Sequence, residues 1–207
     1  MLQEKNRNVI QRANEREVVA ARDRGVVAAR RYVSDEGQIT LQRIADALHP
    51  ALLNKAHLKS VRRIGVTVIG FSRFDQLHQD LGPPTDEVTE CVETSYTPLK
   101  VELGRIGVYG TEPNGKLGIS LISADLRSEE EAIEAVFGQR GYPLPPDPYR
   151  QSGFDPHVTI AQIHSKELPF FQDSHTLNRL EILAGLGPTG SLSIMLDPIK
   201  AGRLISY

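Results

Sequence analysis

The chain has 207 residues and a mass of 22.9 kDa, with 40% hydrophobic and 24% charged residues, enough for a substantial core and ordinary for a globular protein. The formal net charge is only −2, but residues 1–63 hold 13 Lys and Arg against 7 Asp and Glu while residues 64–207 hold 11 against 19, so the two parts differ in sign. With no apolar run near the roughly 20 residues that cross a bilayer, no signal-like opening in Met1-Leu2-Gln3-Glu4-Lys5-Asn6 and a lone Cys91, a membrane partner, an internal disulfide and a thiolate zinc cluster are set aside, and a cytoplasmic location is expected.

In chain order, residues 3–31 lack proline and place Val9, Ala13, Val18, Ala21 and Val26 on a roughly helical stripe. One long helix is expected there, although Gly25-Val26-Val27-Ala28-Ala29 also fits a short strand. Its basic character makes it a candidate for nucleic-acid contact or for self-association into a homodimer, and a charged helix facing water is the plainer alternative. After Ser34-Asp35-Glu36-Gly37, the residues Leu41, Ile44, Ala45, Leu48, Leu52 and Leu53 predict a second helix to about Ala56, bent near Pro50. Residues 1–58 are thus expected to form a helical N-terminal extension, with a main domain over 59–207.

From Val61 the pattern turns to β. Strands are predicted over Ile64–Phe71, Lys100–Tyr109, Leu117–Ile122, Thr176–Leu183 and Ser191–Leu196, with Asn114-Gly115 making a hairpin of the second and third. Ser128 and Glu131 fit a capping box for a helix running to about Phe137, and the proline-rich stretch Gly141–Pro156 reads as an irregular loop. That loop delivers the chain to the run with most chemical content, Phe154-Asp155-Pro156-His157-Val158-Thr159-Ile160-Ala161. His157 and Thr159, two apart on a strand, share a face and can converge on one anionic group. The same pattern occurs upstream as Ile64-Gly65-Val66-Thr67-Val68-Ile69, with Gly65 where a second histidine would stand.

These residues resemble the two-histidine phosphoesterases, which include bacterial RNA 2′,3′-cyclic phosphodiesterases once called 2′-5′ RNA ligases. The second signature is matched by His157-Val158-Thr159 with Pro156 before it, and the intervening hairpin by Leu103–Tyr109 and Leu117–Ile122. The resemblance spans about residue 60 to the C-terminus and implies an α+β fold of two pseudo-symmetric lobes, each an antiparallel sheet with flanking helices. It also implies metal-independent and cofactor-free action on a 2′,3′-cyclic phosphate or related nucleotide or RNA phosphodiester, one histidine serving as general base and the other as general acid. Carried over residue by residue, His157, Thr159 and Thr67 are the catalytic set, while Gly65 occupies the place of the absent histidine. Without that imidazole the protein is expected to have impaired or altered chemistry, or to be an inactive nucleotide-binding pseudoenzyme.

Four further assignments stay open. His57, in the linker before Gly65, could fold back and replace the missing histidine, or face solvent. Tyr109 could stack on a base or serve as a core or rim residue. Arg105 could give charge to a phosphate or be a solvated strand arginine. His157 itself could be a satisfied histidine in an ordinary strand. His78 lies in the next helical stretch, His164 falls at an odd offset from His157, and His49 and His175 read as surface residues.

Overall fold

A computed structural model describes residues 26–61, 64–70, 97–110, 113, 115–139, 155–187 and 191–204. The expected helix over residues 3–25, His78, Cys91, the tip of the hairpin and nearly all of the proline-rich loop lie outside these residues.

Eight strands and four α-helices are described: β1 Val26–Tyr32, α1 Asp35–Leu52, β2 Ala56–Leu58, β3 Gly65–Gly70, β4 Leu99–Tyr109, β5 Lys116–Ile122, α2 Ala124–Gln139, β6 His157–Ile163, α3 Leu168–Gln172, α4 Ser174–Ala184, β7 Ser193–Leu196 and β8 Lys200–Leu204. They build two antiparallel sheets, one in the order β3-β1-β8 and one in the order β2-β6-β5-β4-β7. Helices α1 and α4 pack on each other and on the larger sheet at β7 and β4, α2 packs on β3, and β3 lies against β6 where the sheets meet. The α+β architecture with paired curled sheets is as expected.

Alternation explains which face each strand buries. In β6, Val158 and Ile160 are buried while His157 and Thr159 are half-buried; in β3, Val66 and Val68 are buried while Thr67 is exposed. The buried sets join the α1 stripe of Leu41, Ile44, Leu48 and Leu52 in one core, each such side chain contributing roughly 1.5–3 kcal/mol. Ser34 caps α1 by accepting from Gly37 N at 3.2 Å. Gly37 itself allows α1 to approach β7, because a Cβ there would sit 2.6 Å from Val33 Cγ1 and 3.0 Å from Met195 O. Leu53, expected on the buried stripe, is exposed, since α1 stops at Leu52 and Asn54 turns the chain with a φ of 63° into β2.

Three expectations are corrected. Residues 26–58 are not a helical extension: Val26–Tyr32 is the central strand of the smaller sheet, the β alternative that periodicity left open, and β2 pairs with β6. Thr176–Leu183 lies in helix α4, capped by Asp173, which accepts from Thr176 N and Thr176 Oγ1 at 2.8 Å, and stopped by Gly185 with a φ of 71°. Helix α2 begins at Ala124, where Ser123 Oγ accepts from Leu126 N at 3.3 Å; Ser128 is inside the helix and donates back to Ala124 O.

Candidate active site

The hairpin register places three rows of residues across the open face of the larger sheet. Directly opposed residues in an antiparallel pair share a face. One row runs Tyr109, Lys116, Gln162, His57; the next runs Gly107, Gly118, Thr159; and Ser120 opposes His157 beyond them. The pairing shifts between Leu117 and Gly118, so Gln162 stays on the face of Thr159 although three positions separate them.

Two glycines in the middle row leave a trough, and the Tyr109 ring fills it. A Cβ at Gly118 would lie 2.8 Å from Tyr109 Cδ2 and 2.9 Å from Cε2, and one at Gly107 would lie 3.4 Å from Cε2. Lying flat there, the ring stacks on the His157 imidazole with centroids 3.7 Å apart and planes 15° from parallel. Tyr109 is therefore the histidine's own stacking partner, and burial, followed by the charge of Asp155, pushes its phenol up to about 12.

His157 Nδ1 lies 3.0 Å from the backbone carbonyl oxygen of Asp155. A carbonyl only accepts, so the proton sits on Nδ1, and the Nε2 lone pair is left to take or, once protonated, to give a proton. Burial lowers the imidazole below its usual 6.5; the hydrogen bond to Asp155 O and the charge of Asp155 oppose that, and the charge of Lys116 adds to it. The ring is thus neutral near pH 7, with Nε2 as its unprotonated nitrogen.

Cations gather around this face. Lys59 donates its backbone N–H to Ile160 O at 2.9 Å, next to Thr159. Burial lowers its ammonium, and the positive charges of Lys116 and then Arg30 lower it further. The charge of Lys116 acts on both His157 and Lys59, so the histidine, Thr159 and the lysines form one neighbourhood.

On the smaller sheet Gly65 opposes Tyr32 and Thr67 opposes Arg30. A Cβ on Gly65 would meet Arg31 O at 3.1 Å and Tyr32 Cδ1 at 3.3 Å, so the tyrosine ring borders the space where a first imidazole would begin. His57 sits on the edge strand β2, exposed and paired with Gln162, rather than in a loop folded over the pocket. Arg105 is exposed, and its backbone N–H donates to Ser120 Oγ at 2.9 Å, placing it two strands from His157. His49, His164 and His175 are exposed.

Sequence reading missed Arg30, Lys59 and Lys116. Counting outward from a two-residue Asn114-Gly115 turn would pair Tyr109 with Ser120, four positions from its observed partner Lys116, so the register that brings Lys116 to this face was not legible in the turn motif. Among the described residues no three His, Cys, Asp or Glu side chains gather as metal ligands, and no helix is long and apolar enough to cross a membrane.

No protein-family model and no curated protein matches the sequence. Among solved structures, Usb1 from Kluyveromyces marxianus aligns with a TM-score of 0.50 at 16% identity over 88% of this chain and 96% of that one. The chain has a two-histidine phosphoesterase-like fold. The protein TT0787 of Thermus thermophilus aligns at a TM-score of 0.46 and 11% identity, over 85% of this chain and 83% of that one. A protein described as a phosphoesterase aligns at 0.45 and 9%, over 88% and 99%. At such identities the likeness speaks of fold alone. In this fold β6 carries His157-Val158-Thr159 and β3 carries Gly65-Val66-Thr67.

Proposed function

We propose that this protein binds a 2′,3′-cyclic phosphate or a related nucleotide or RNA-end phosphodiester without a metal, and hydrolyses it slowly with one imidazole. The observation that carries the reading is His157 with its proton held on Nδ1 by Asp155 O, beside Thr159 and a group of cations. Hydroxyl and ammonium donors suit non-bridging phosphate oxygens. In the step itself water forms a new P–O bond as Nε2 takes its proton, and the P–O2′ bond breaks with solvent supplying a proton to the leaving oxygen. A missing general acid or base typically costs about 10²- to 10⁴-fold in rate.

The test is turnover of a short RNA ending in a 2′,3′-cyclic phosphate, with chelator present. We expect slow hydrolysis by the unaltered chain and none by His157→Ala; equal turnover in the two would remove this histidine from the chemistry.

Gly65 favours a second reading, an inactive nucleotide-binding protein. On that reading the nucleotide raises Tm and stays intact, and Gly65→His gains hydrolysis. At the built Cβ the Arg31 carbonyl oxygen at 3.1 Å and Tyr32 Cδ1 at 3.3 Å must each give by a few tenths of an ångström to admit the new side chain, a backbone adjustment as well as a ring shift. A folded Gly65→His variant with no gain would speak against Gly65 as the first signature position.

A further inference from the structure

Two adjacent arginines on β1 are treated in opposite ways. Arg31 is buried and bonded through all three nitrogens: Nε and Nη2 donate to the Glu129 carboxylate, and Nη1 donates to Thr97 O at 2.9 Å and Asp197 O at 2.8 Å. Arg30 is half-buried, its Nε is sealed from solvent, and that nitrogen has no hydrogen-bond partner. No carboxylate pairs with Arg30 among the described residues. A buried N–H donor left without a partner is a cost to the fold, and a ligand oxygen that accepts from it would offset that cost.

The position of Arg30 says which ligand. It opposes Thr67 on β3, one step from the Tyr32–Gly65 pair, so it shares the face of the half-site that lacks a histidine. Its charge reaches Lys59, which is bonded through its backbone to Ile160 and also feels Lys116, the lysine that acts on His157. Arg30 acts on Lys59, and Lys116 on both Lys59 and His157, and β3, the partner strand of Arg30, packs against β6, the strand of His157.

We propose that Arg30 supplies the permanent cation of the half-site without a histidine and grips a non-bridging oxygen of the bound phosphodiester, leaving proton transfer to His157 alone. This rests on the phosphodiester-binding reading above. A guanidinium stays protonated at any working pH, so it neutralises phosphate charge and forks onto its oxygens but does not shuttle protons.

The experiment measures binding of adenosine 2′,3′-cyclic phosphate by calorimetry to the full chain, to Arg30→Gln and to Arg30→Lys, together with the Tm of each without nucleotide. Loss of hydrogen bonds to a charged group predicts about 10- to 100-fold weaker binding by Arg30→Gln, partial recovery in Arg30→Lys, and an unliganded Tm that is unchanged or higher. Binding by Arg30→Gln equal to that of the unaltered chain overturns the assignment and leaves the phosphodiester reading standing. Weaker binding accompanied by a lower Tm, with no recovery in Arg30→Lys, gives Arg30 a structural role and also overturns it. No binding by the unaltered chain overturns both readings.

Discussion

At the scale of single residues, the state of His157 depends on an absent methyl group in the neighbouring strand. Gly118 lets the Tyr109 ring lie against the imidazole, the ring excludes water, and burial then holds the histidine below 6.5. Gly118→Ala would put a carbon 2.8 Å from that ring and 3.1 Å from Val158 O, whereas Gly107→Ala meets it at an ordinary 3.4 Å. We expect Gly118→Ala to displace the ring and raise the His157 pKa toward 6.5, and Gly107→Ala to leave it nearly in place. Titration of the His157 ring protons by NMR checks both, and identical curves for the two variants would refute the shielding role. The sign for stability follows from proton counting. The folded chain keeps this imidazole neutral where the unfolded chain protonates it, so its contribution is fully present above about pH 6.5 and is lost as pH falls through 6.5 toward the folded pKa. The fall in Tm over that window should be smaller in Gly118→Ala than in the unaltered chain. His157-Val158-Thr159 was legible because strand periodicity is short-range. The Arg30–Thr67 pair was not, because it depends on a register between segments far apart in sequence.

Among the elements, what could be read from sequence followed how local its determinants are. Strands β3, β4, β5 and β7 and helix α1 were legible from alternation, the Asn-Gly turn and the leucine stripe. Helix α4 was misread as a strand because Leu177, Leu180, Ile182 and Leu183 give a short apolar run that fits either period. Leu180 and Ala184 are buried while Ile182 and Leu183 face outward, the spacing of a helix. The decisive signals flank the run: Asp173 accepts from Thr176 at its start, and Gly185 ends it in the left-handed region, where its N–H bonds to Ile182 O at 3.1 Å. Any residue with a Cβ is strained there by roughly 1–2 kcal/mol. Gly185→Ala should therefore lower stability by about 1 kcal/mol in urea unfolding and Gly185→Asn by less, since asparagine tolerates this conformation. Equal losses for alanine and asparagine would mean that the stop signal is not conformational.

Across the whole molecule, the smaller sheet is assembled from three remote segments, β1, β3 and β8, with the earliest in the middle. That is why residues 26–58 could not be separated as an extension: β1 is hydrogen-bonded on both edges, and the chain just beyond it reaches the larger sheet through a Val33–Leu196 bridge, Ser34 N to Met195 O at 2.9 Å and Asp197 N to Tyr32 O at 2.7 Å. Composition suggested two parts with different charge, but strand pairing crosses that division. Arg31 fastens the junction from inside. Its guanidinium holds Glu129 of α2, the carbonyl of Thr97 ahead of β4 and that of Asp197 after β7, so one side chain ties the small sheet to its helix and to two segments flanking strands of the large sheet. A buried pair adds little net stability relative to apolar packing, but removing one partner leaves the other uncompensated. Glu129→Ala should thus cost about 3–5 kcal/mol and lower Tm sharply. The double change Arg31→Met with Glu129→Leu should recover most of that loss in the ionic pair, although the two carbonyls give up their donor. Because β1 also carries Arg30 on its opposite face, Glu129→Ala should weaken nucleotide binding more than the double variant does at a temperature where both are folded. Unfolding in urea and calorimetric binding on the two variants test this, and a double variant no more stable than Glu129→Ala would show that the carbonyl contacts of Arg31, not its ion pair, hold the sheets in place.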